Sequence, residues 1–144
     1  MSSLIVAEPP AAYGERPRLV VDASVLAATL FEEDGHDVAL SWMRGRTLCA
    51  PHLVDCEIAN IALAKIQRKV TNVASAVEVL KVYAALDIER HSVEPSAVFA
   101  LAMRAGLTAY DASYLWLAET LHTPLATFDA RLGKAAVEYL GERQ

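Results

Sequence analysis

Short apolar runs typical of buried strands alternate along this chain with patterns typical of helices. The strand-like runs cover residues 18–22, 47–50, 87–93 and 125–128. The helical patterns cover residues 25–31, 36–44, 53–69, 73–86, 95–104, 108–122 and 130–140. Strands separated by helices pair in parallel, and the helices then cover both faces of the sheet. The sequence therefore predicts an α/β fold with a mainly parallel sheet.

The length of the chain leaves room for one folded domain. Its 144 residues, 54% of them hydrophobic, suffice to bury one core. Residues 1–17 contain Pro9, Pro10, Gly14 and Pro17 and show little periodicity, so we expect a flexible N-terminal arm there. The folded domain is then expected to cover residues 18–144.

Composition also bears on location. Every run without a charged residue is far shorter than the roughly 20 apolar residues that a membrane-spanning helix needs. The N-terminus lacks the basic lead and long apolar segment of a secretory signal, so we expect a cytoplasmic protein with no membrane contact. Cys49 and Cys56 are then expected to be reduced thiols in the core, and their spacing fits no zinc motif.

The charge balance restricts how the chain could bind nucleic acid. The net charge is −5, with 13 Lys and Arg against 18 Asp and Glu, which argues against a broad basic face. Lys65, Arg68 and Lys69 form the one dense basic group of the sequence, on a predicted helix. They could bind phosphate locally, or they could be a solvated helix end that complements the helix dipole. Sequence alone leaves both interpretations open.

Four acidic residues occupy positions where an isolated charge is awkward. Asp22 closes the first strand-like run, Asp129 follows the last, Asp111 opens a helix, and Glu57 interrupts an apolar helical stretch. Ligands of parallel sheets gather outside the carboxyl ends of the strands, so all four can point to one rim. Two charges about 4 Å apart repel by roughly 4 kcal/mol at an effective dielectric of about 20. A bound divalent cation would remove that repulsion, so the pattern favours a metal site.

Each acid taken singly also has an ordinary explanation. Asp22 could begin a turn, Asp111 could complete a capping box with Thr108, and Asp129 could cap the last helix. Glu57 resists such an explanation, because its helical neighbours are apolar and an unpaired buried charge is costly. 

Two hydroxyl residues accompany these acids. Ser24 and Thr127 lie two residues from Asp22 and Asp129, and they could orient carboxylates or a metal-bound water. Serving as ordinary turn or strand residues is at least as good an interpretation for both of them.

Four segments carry a resemblance to a known family. They are residues 20–26 (Val-Val-Asp-Ala-Ser-Val-Leu), 57–60 (Glu-Ile-Ala-Asn), 107–115 (Leu-Thr-Ala-Tyr-Asp-Ala-Ser-Tyr-Leu) and 125–129 (Leu-Ala-Thr-Phe-Asp). In order and spacing they resemble the PIN-domain family of metal-dependent ribonucleases, and within it the VapC-type toxins of toxin–antitoxin pairs. The third segment is the most specific. The resemblance spans about residues 18–140, and the arm before it departs from the family pattern.

This resemblance implies a fold, a reaction and partners. The fold would be a three-layer α/β/α sandwich with a mainly parallel sheet of four to five strands. Mg²⁺, with Mn²⁺ as a substitute, would be held by Asp22, Glu57, Asp111 and Asp129. Asp22 and Asp111 would be the innermost ligands, and metal-activated water would hydrolyse RNA. A homodimer and inhibition by a cognate antitoxin are also implied.

Other functions would use the same acids differently. A catalytically silent protein-binding module could receive a partner's arginine in the acidic pocket. A metal-dependent phosphatase or a phosphoacceptor receiver domain fits less well, since the chain lacks the Asp-x-Asp start and the late lysine expected in those families.

Overall fold

The computed structural model describes residues 2–8 and 16–141, which form five strands and seven helices. The strands are β1 (Ile5–Ala7), β2 (Arg18–Val21), β3 (Thr47–Pro51), β4 (Ile88–His91) and β5 (Leu125–Thr127). The helices are α1 (Ala23–Leu30), α2 (His36–Met43), α3 (Val54–Gln67), α4 (Val73–Ala85), α5 (Pro95–Ala105), α6 (Ala109–Leu121) and α7 (Ala130–Gly141).

The strands form one sheet in the order β1-β5-β2-β3-β4. β2 pairs in parallel with β3 and with β5, and β3 pairs in parallel with β4. β1 alone is antiparallel, on the outer side of β5. The predicted α/β/α architecture with a mainly parallel sheet is confirmed.

The central strands are apolar because helices cover them. Leu19, Val20 and Val21 of β2 are fully buried, as are Leu125 and Ala126 of β5. Such continuous apolar runs are typical of parallel strands that are covered on both faces. This packing fixes β2 and β5 side by side, so their carboxyl ends open at the same rim.

Local capping residues position several helices. The Asn72 side chain accepts a hydrogen bond from the backbone N–H of Ser75 and caps α4. Gly106 ends α5 in the left-handed conformation, where glycine has no steric penalty. Thr108 caps α6 by accepting from the N–H of Asp111. The start of α6, and with it Asp111, is therefore set by local chemistry.

The N-terminal segment differs from the predicted flexible arm. Residues Ile5–Ala7 form β1, whose register places Ile5 opposite Thr127. Ile5 also packs against Gly133 of α7, where any larger side chain would overlap it. A three-residue strand is too short to show a periodic pattern, which is why sequence analysis does not predict it. Residues 1 and 9–15 of the predicted arm lie outside the described residues.

One prediction about the cysteines is wrong. Cys49 is buried as expected, but Cys56 is exposed on α3. Cys56 lies in the first turns of that helix, between the neighbouring acids Asp55 and Glu57, and its side chain is exposed.

Within the described ranges, no helix combines the length and apolar character needed to cross a membrane.

Candidate metal centre

Asp22 lies at the carboxyl end of β2, where it caps α1. Its Oδ1 accepts hydrogen bonds from the Ser24 hydroxyl (2.5 Å) and from the Val25 N–H (3.2 Å). Its Oδ2 accepts from the Thr127 hydroxyl (2.5 Å), which lies at the end of the adjacent strand β5. The side-by-side pairing of β2 and β5 thus joins residues 105 positions apart in sequence. The carboxylate is held in one orientation by neutral donors.

The two hydroxyls are themselves fixed by the backbone that follows β5. The Ser24 Oγ accepts from the N–H of Phe128 at 3.0 Å, and the Thr127 Oγ1 accepts from the N–H of Asp129 at 2.9 Å. Each hydroxyl therefore has its proton directed to Asp22. The predicted supporting residues Ser24 and Thr127 both contact Asp22.

Burial makes Asp22 reluctant to ionise. Only 6% of the residue is exposed, and burial raises the pKa of its carboxyl from 3.8 to about 6. Hydrogen bonds from Ser24, Thr127 and the Val25 N–H act in the opposite direction, and the negative charge of Asp111 adds to the rise. A nearby cation would reverse this shift.

Glu57 projects from the first turn of α3 towards α6. Its Oε1 accepts a hydrogen bond from the Tyr114 hydroxyl at 2.5 Å. Burial raises the pKa of Glu57, and the charges of Asp22 and Asp111 raise it further. The pKa of Tyr114 is raised by burial and by the Glu57 carboxylate. Tyr114 therefore stays a neutral donor that orients Glu57.

Asp111 and Asp129 lie in or before the first turns of α6 and α7. Burial raises the pKa of Asp111, the charge of Asp129 raises it further, and Arg131 opposes the rise. The Asp129 side chain is exposed, and its Oδ1 accepts from the Leu132 N–H at 2.9 Å. The ordinary capping role considered for Asp129 is thus present in the structure, and one of its carboxylate oxygens remains for another ligand.

The four acids lie close enough to affect each other's ionisation. Asp22 interacts with Asp111 and with Glu57, Glu57 interacts with Asp111, and Asp111 interacts with Asp129. In residues 2–8 and 16–141, however, no three of these carboxylates bring oxygens within 4.8 Å of one another. The four acids therefore influence one another electrostatically without direct contact between all of them.

The donor set fits a hard divalent cation. All four side chains offer carboxylate oxygens, the ligands that Mg²⁺ and Mn²⁺ prefer. Mg²⁺ keeps several waters and is often held by one or two carboxylates, so carboxylates several ångströms apart are compatible with it. Their assignment as ligands stays a prediction.

A cleft of about 510 Å³ adjoins this rim. Ser24 and Phe128 line one part of it, and Lys65 and Arg68 of α3 line another. The Lys65 ammonium is paired with Glu33 at 2.9 Å, so its charge is already neutralised. Of the basic group seen in the sequence, Arg68 is therefore the better placed to attract an anion beside Ser24.

Sequence reasoning missed two residues of the site. Tyr114 falls at helical spacing among aliphatic residues, which indicates core packing, and it is buried, yet its hydroxyl is the donor to Glu57. It lies three residues after Asp111, which puts both on one helix face, so helical spacing offered a signal. Arg131 influences Asp111 across two elements, and nothing local in the sequence indicated it.

Comparisons with known proteins point in one direction. The family model described as PIN domain matches residues 19–138. A Mycobacterium tuberculosis protein named Ribonuclease VapC9 is 39% identical over 114 residues, covering 79% of this chain and 87% of that relative. Ribonuclease VapC3 of Pyrobaculum aerophilum is 30% identical over 122 residues, covering 81% and 93%. The crystal structure of PAE2754 from Pyrobaculum aerophilum superposes with a TM-score of 0.65 at 27% identity, covering 89% of each chain.

Proposed function

This chain belongs to the PIN-domain family, and from that premise we propose that it is a divalent-metal-dependent endoribonuclease. Its biological role is the toxin of a VapBC-type toxin–antitoxin pair, acting on RNA in the cytoplasm. The relatives named as VapC ribonucleases support the substrate class.

One observation carries the proposal. Asp22, Glu57 and Asp111 come from three different elements, and each has a raised pKa to which burial and another acid of the set both contribute. A fold does not gain stability from buried like charges, since their ionisation costs free energy. A site that binds a cation explains why these acids stand together.

The residues divide the work of hydrolysis by position. Asp22 and Asp111 would be the innermost ligands, and Glu57 and Asp129 would complete the metal shell or orient the attacking water. The bound ion would polarise the phosphoryl group, lower the pKa of the attacking water and stabilise the leaving oxygen. Ser24 and Thr127 keep Asp22 oriented, while Tyr114 does the same for Glu57. 

Substrate binding needs a positive charge near these acids. Arg68 lines the adjoining cleft and would hold a phosphate of the RNA backbone there. Because the overall charge is −5, phosphate binding depends on such local groups and on the ion itself.

The test is cleavage of single-stranded RNA with Mg²⁺, with and without EDTA. We expect EDTA-sensitive cleavage that is lost in Asp22→Asn and in Asp111→Asn. Asp55→Asn is the matched control, because Asp55 is a carboxylate whose pKa is lowered by Arg90. Full activity in both Asp22→Asn and Asp111→Asn would reject the assignment.

The antitoxin is a proposed second partner. Its arginine would enter the acidic space and balance the same charges that a cation balances. If Mg²⁺ does not raise the thermal stability of the protein and no EDTA-sensitive RNA cleavage appears, the alternative of a silent, arginine-receiving module is favoured instead.

Homodimerisation is the remaining proposal. Phe99 and Met103 of α5 and Tyr110 of α6 are 66%, 71% and 67% exposed, and these helices pack together. Phe99 and Met103 are four residues apart and so lie on one face of α5. Exposed large apolar side chains on one face are typical of protein contacts. We expect a dimer in sedimentation at micromolar concentration, and a shift to monomer in Met103→Glu. A monomeric native protein under those conditions would contradict this proposal.

A further inference from the structure

Three side chains with metal-binding atoms meet between β3 and the edge strand β4. The Sγ of Cys49 and a ligand atom each of Glu89 and His91 lie within 4.8 Å of one another. The register explains the cluster: Cys49 lies opposite Glu89, and Pro51 opposite His91. Because side chains alternate along a strand, residues 89 and 91 share one face of the sheet.

This cluster is separate from the acidic rim, the edge of the sheet near which Asp22, Glu57, Asp111 and Asp129 lie. Arg90, between Glu89 and His91, turns to the opposite face, where it contacts Asp55 of α3 and Tyr83 of α4. No acid of the rim contributes to the group of Cys49, Glu89 and His91. The two sites also differ in chemistry, because only the second offers sulfur and nitrogen.

The cluster is buried on one side and open on the other. Cys49 is fully buried, whereas the side chains of Glu89 and His91 are 39% and 27% exposed. An ion held here would contact a buried sulfur and still have a free position towards solvent. That arrangement provides three protein ligands and room for one water.

We propose that Cys49, Glu89 and His91 form a binding site for a thiophilic divalent cation of the Zn²⁺ class. The Sγ of Cys49 lies 3.9 Å from Glu89 Oε1, and His91 Nε2 lies 3.2 Å from the same oxygen. Tetrahedral zinc with ordinary bond lengths places sulfur and oxygen about 3.6 Å apart and nitrogen and oxygen about 3.4 Å apart. The two distances that involve Glu89 therefore differ from these values by only a few tenths of an ångström, and the Cys49 and His91 ligand atoms lie within 4.8 Å of each other.

Two features oppose binding. Arg18 contacts Glu89 Oε1 at 3.4 Å, but both side chains are substantially exposed, and such ion pairs are weak. Burial and the charge of Glu89 raise the pKa of the Cys49 thiol to about 11, so the metal must displace a firmly held proton, which passes to solvent as the metal–sulfur bond forms. The bound ion would tie edge strand β4 to β3.

Co²⁺ is the probe, because a thiolate ligand gives cobalt a charge-transfer absorption that oxygen ligands do not. Co²⁺ bound by the carboxylates of the acidic rim therefore gives no such absorption. We expect the native protein to show the band with one equivalent of Co²⁺, to lose it when Zn²⁺ is added, and to lack it in Cys49→Ser. Cys56→Ser is the matched control, since it removes the other thiol and should leave the band unchanged.

Two further variants keep the test decisive if Cys49→Ser folds poorly. His91→Ala should weaken Co²⁺ binding by more than the roughly 10- to 100-fold that loss of an outer-shell partner costs. Arg18→Met should strengthen binding severalfold, because it frees the Glu89 carboxylate. Absence of the band in the native protein would overturn the proposal. So would a band that survives Cys49→Ser but disappears in Cys56→Ser.

Discussion

Asp22 and Asp55 both accept hydrogen bonds from distant side chains, but their charges are balanced in opposite ways. Arg90 donates to both oxygens of Asp55 at 3.0 Å, and Tyr83 donates to one of them at 2.6 Å. This arrangement lowers the pKa of Asp55. Asp22 receives neutral donors, lies near other acids and has its pKa raised to about 6.

The contrast separates an acid whose charge is balanced within the protein from an acid whose charge is not. The network of Asp55 is complete within the protein, because a guanidinium supplies the opposite charge. Asp22 is equally well oriented, yet its charge becomes favourable only when a cation arrives from outside. A carboxylate that is held in one orientation, but whose charge no protein group neutralises, is the physical sign of a binding site.

The largest expected effect is on catalysis. Asp22→Asn removes one ligand charge, and we expect RNA cleavage to fall by about 10³-fold or more, equivalent to about 4 kcal/mol of barrier. Asp55→Asn should stay within about twofold of the native rate. Single-turnover cleavage with Mg²⁺ measures both. Equal losses in the two variants would remove the distinction between these acids.

The second effect is on how stability depends on pH without metal. The pKa of Asp22 in the folded state, about 6, lies above its ordinary value of 3.8. Its contribution to stability is therefore fully present below pH 3.8 and is lost as the pH rises through about 6. The loss amounts to about 3 kcal/mol.

Denaturant unfolding in EDTA between pH 4 and pH 8 tests this dependence. Asp22→Asn should flatten the profile in this range, and Mg²⁺ should restore stability at the upper end. A native profile that rises steadily from pH 4 to pH 8 would show that Asp22 ionises freely.

The third effect is smaller and concerns the orientation of the Asp22 carboxylate. Thr127→Val keeps the shape of the side chain but removes the donor to Asp22 and the acceptor for the Asp129 N–H. We expect a 10- to 100-fold loss of Mg²⁺ affinity or activity, as for other partners of metal ligands. Thr127→Ser, which keeps the hydroxyl, should recover most of it. If Thr127→Ser does not recover the lost affinity or activity, altered packing and not the missing hydroxyl causes the loss.

The smallest effect concerns the Asp55 network itself. Asp55→Asn should lower the free energy of unfolding at neutral pH by about 1 kcal/mol, since the pair is partly exposed. Because the pKa of Asp55 is lowered, the native contribution is present above pH 3.8 and is lost as the pH falls, the reverse of Asp22. Unfolding curves at pH 7 and pH 3 measure it. An unchanged curve at pH 7 would show that solvent screens the pair completely.

The sequence predicted what depends on local patterns and on strand order. Thr108 caps its helix through a residue three positions away, so the signal was local. Asp22 and Thr127 meet because parallel strands end at one rim, which follows from topology alone.

What escaped prediction depends on register or on distant packing. The Tyr114 hydroxyl reaches Glu57 across 57 positions, and the contact requires two helices to be placed precisely. Cys49 and Glu89 lie 40 positions apart and come together only through the pairing of β3 with β4. Zinc motifs are recognised in a sequence by short, fixed spacings between their ligands, and Cys49 and Glu89 have no such spacing.

The antiparallel strand Ile5–Ala7 has a practical consequence for anyone shortening this protein. It pairs with the strand that ends at Thr127, and so shields a row of backbone amides and carbonyls. A version beginning at Arg18 would leave that row bare beside the acidic rim, open to strand addition by another molecule. Self-association of such a truncated product could then be mistaken for the proposed dimerisation of the full chain.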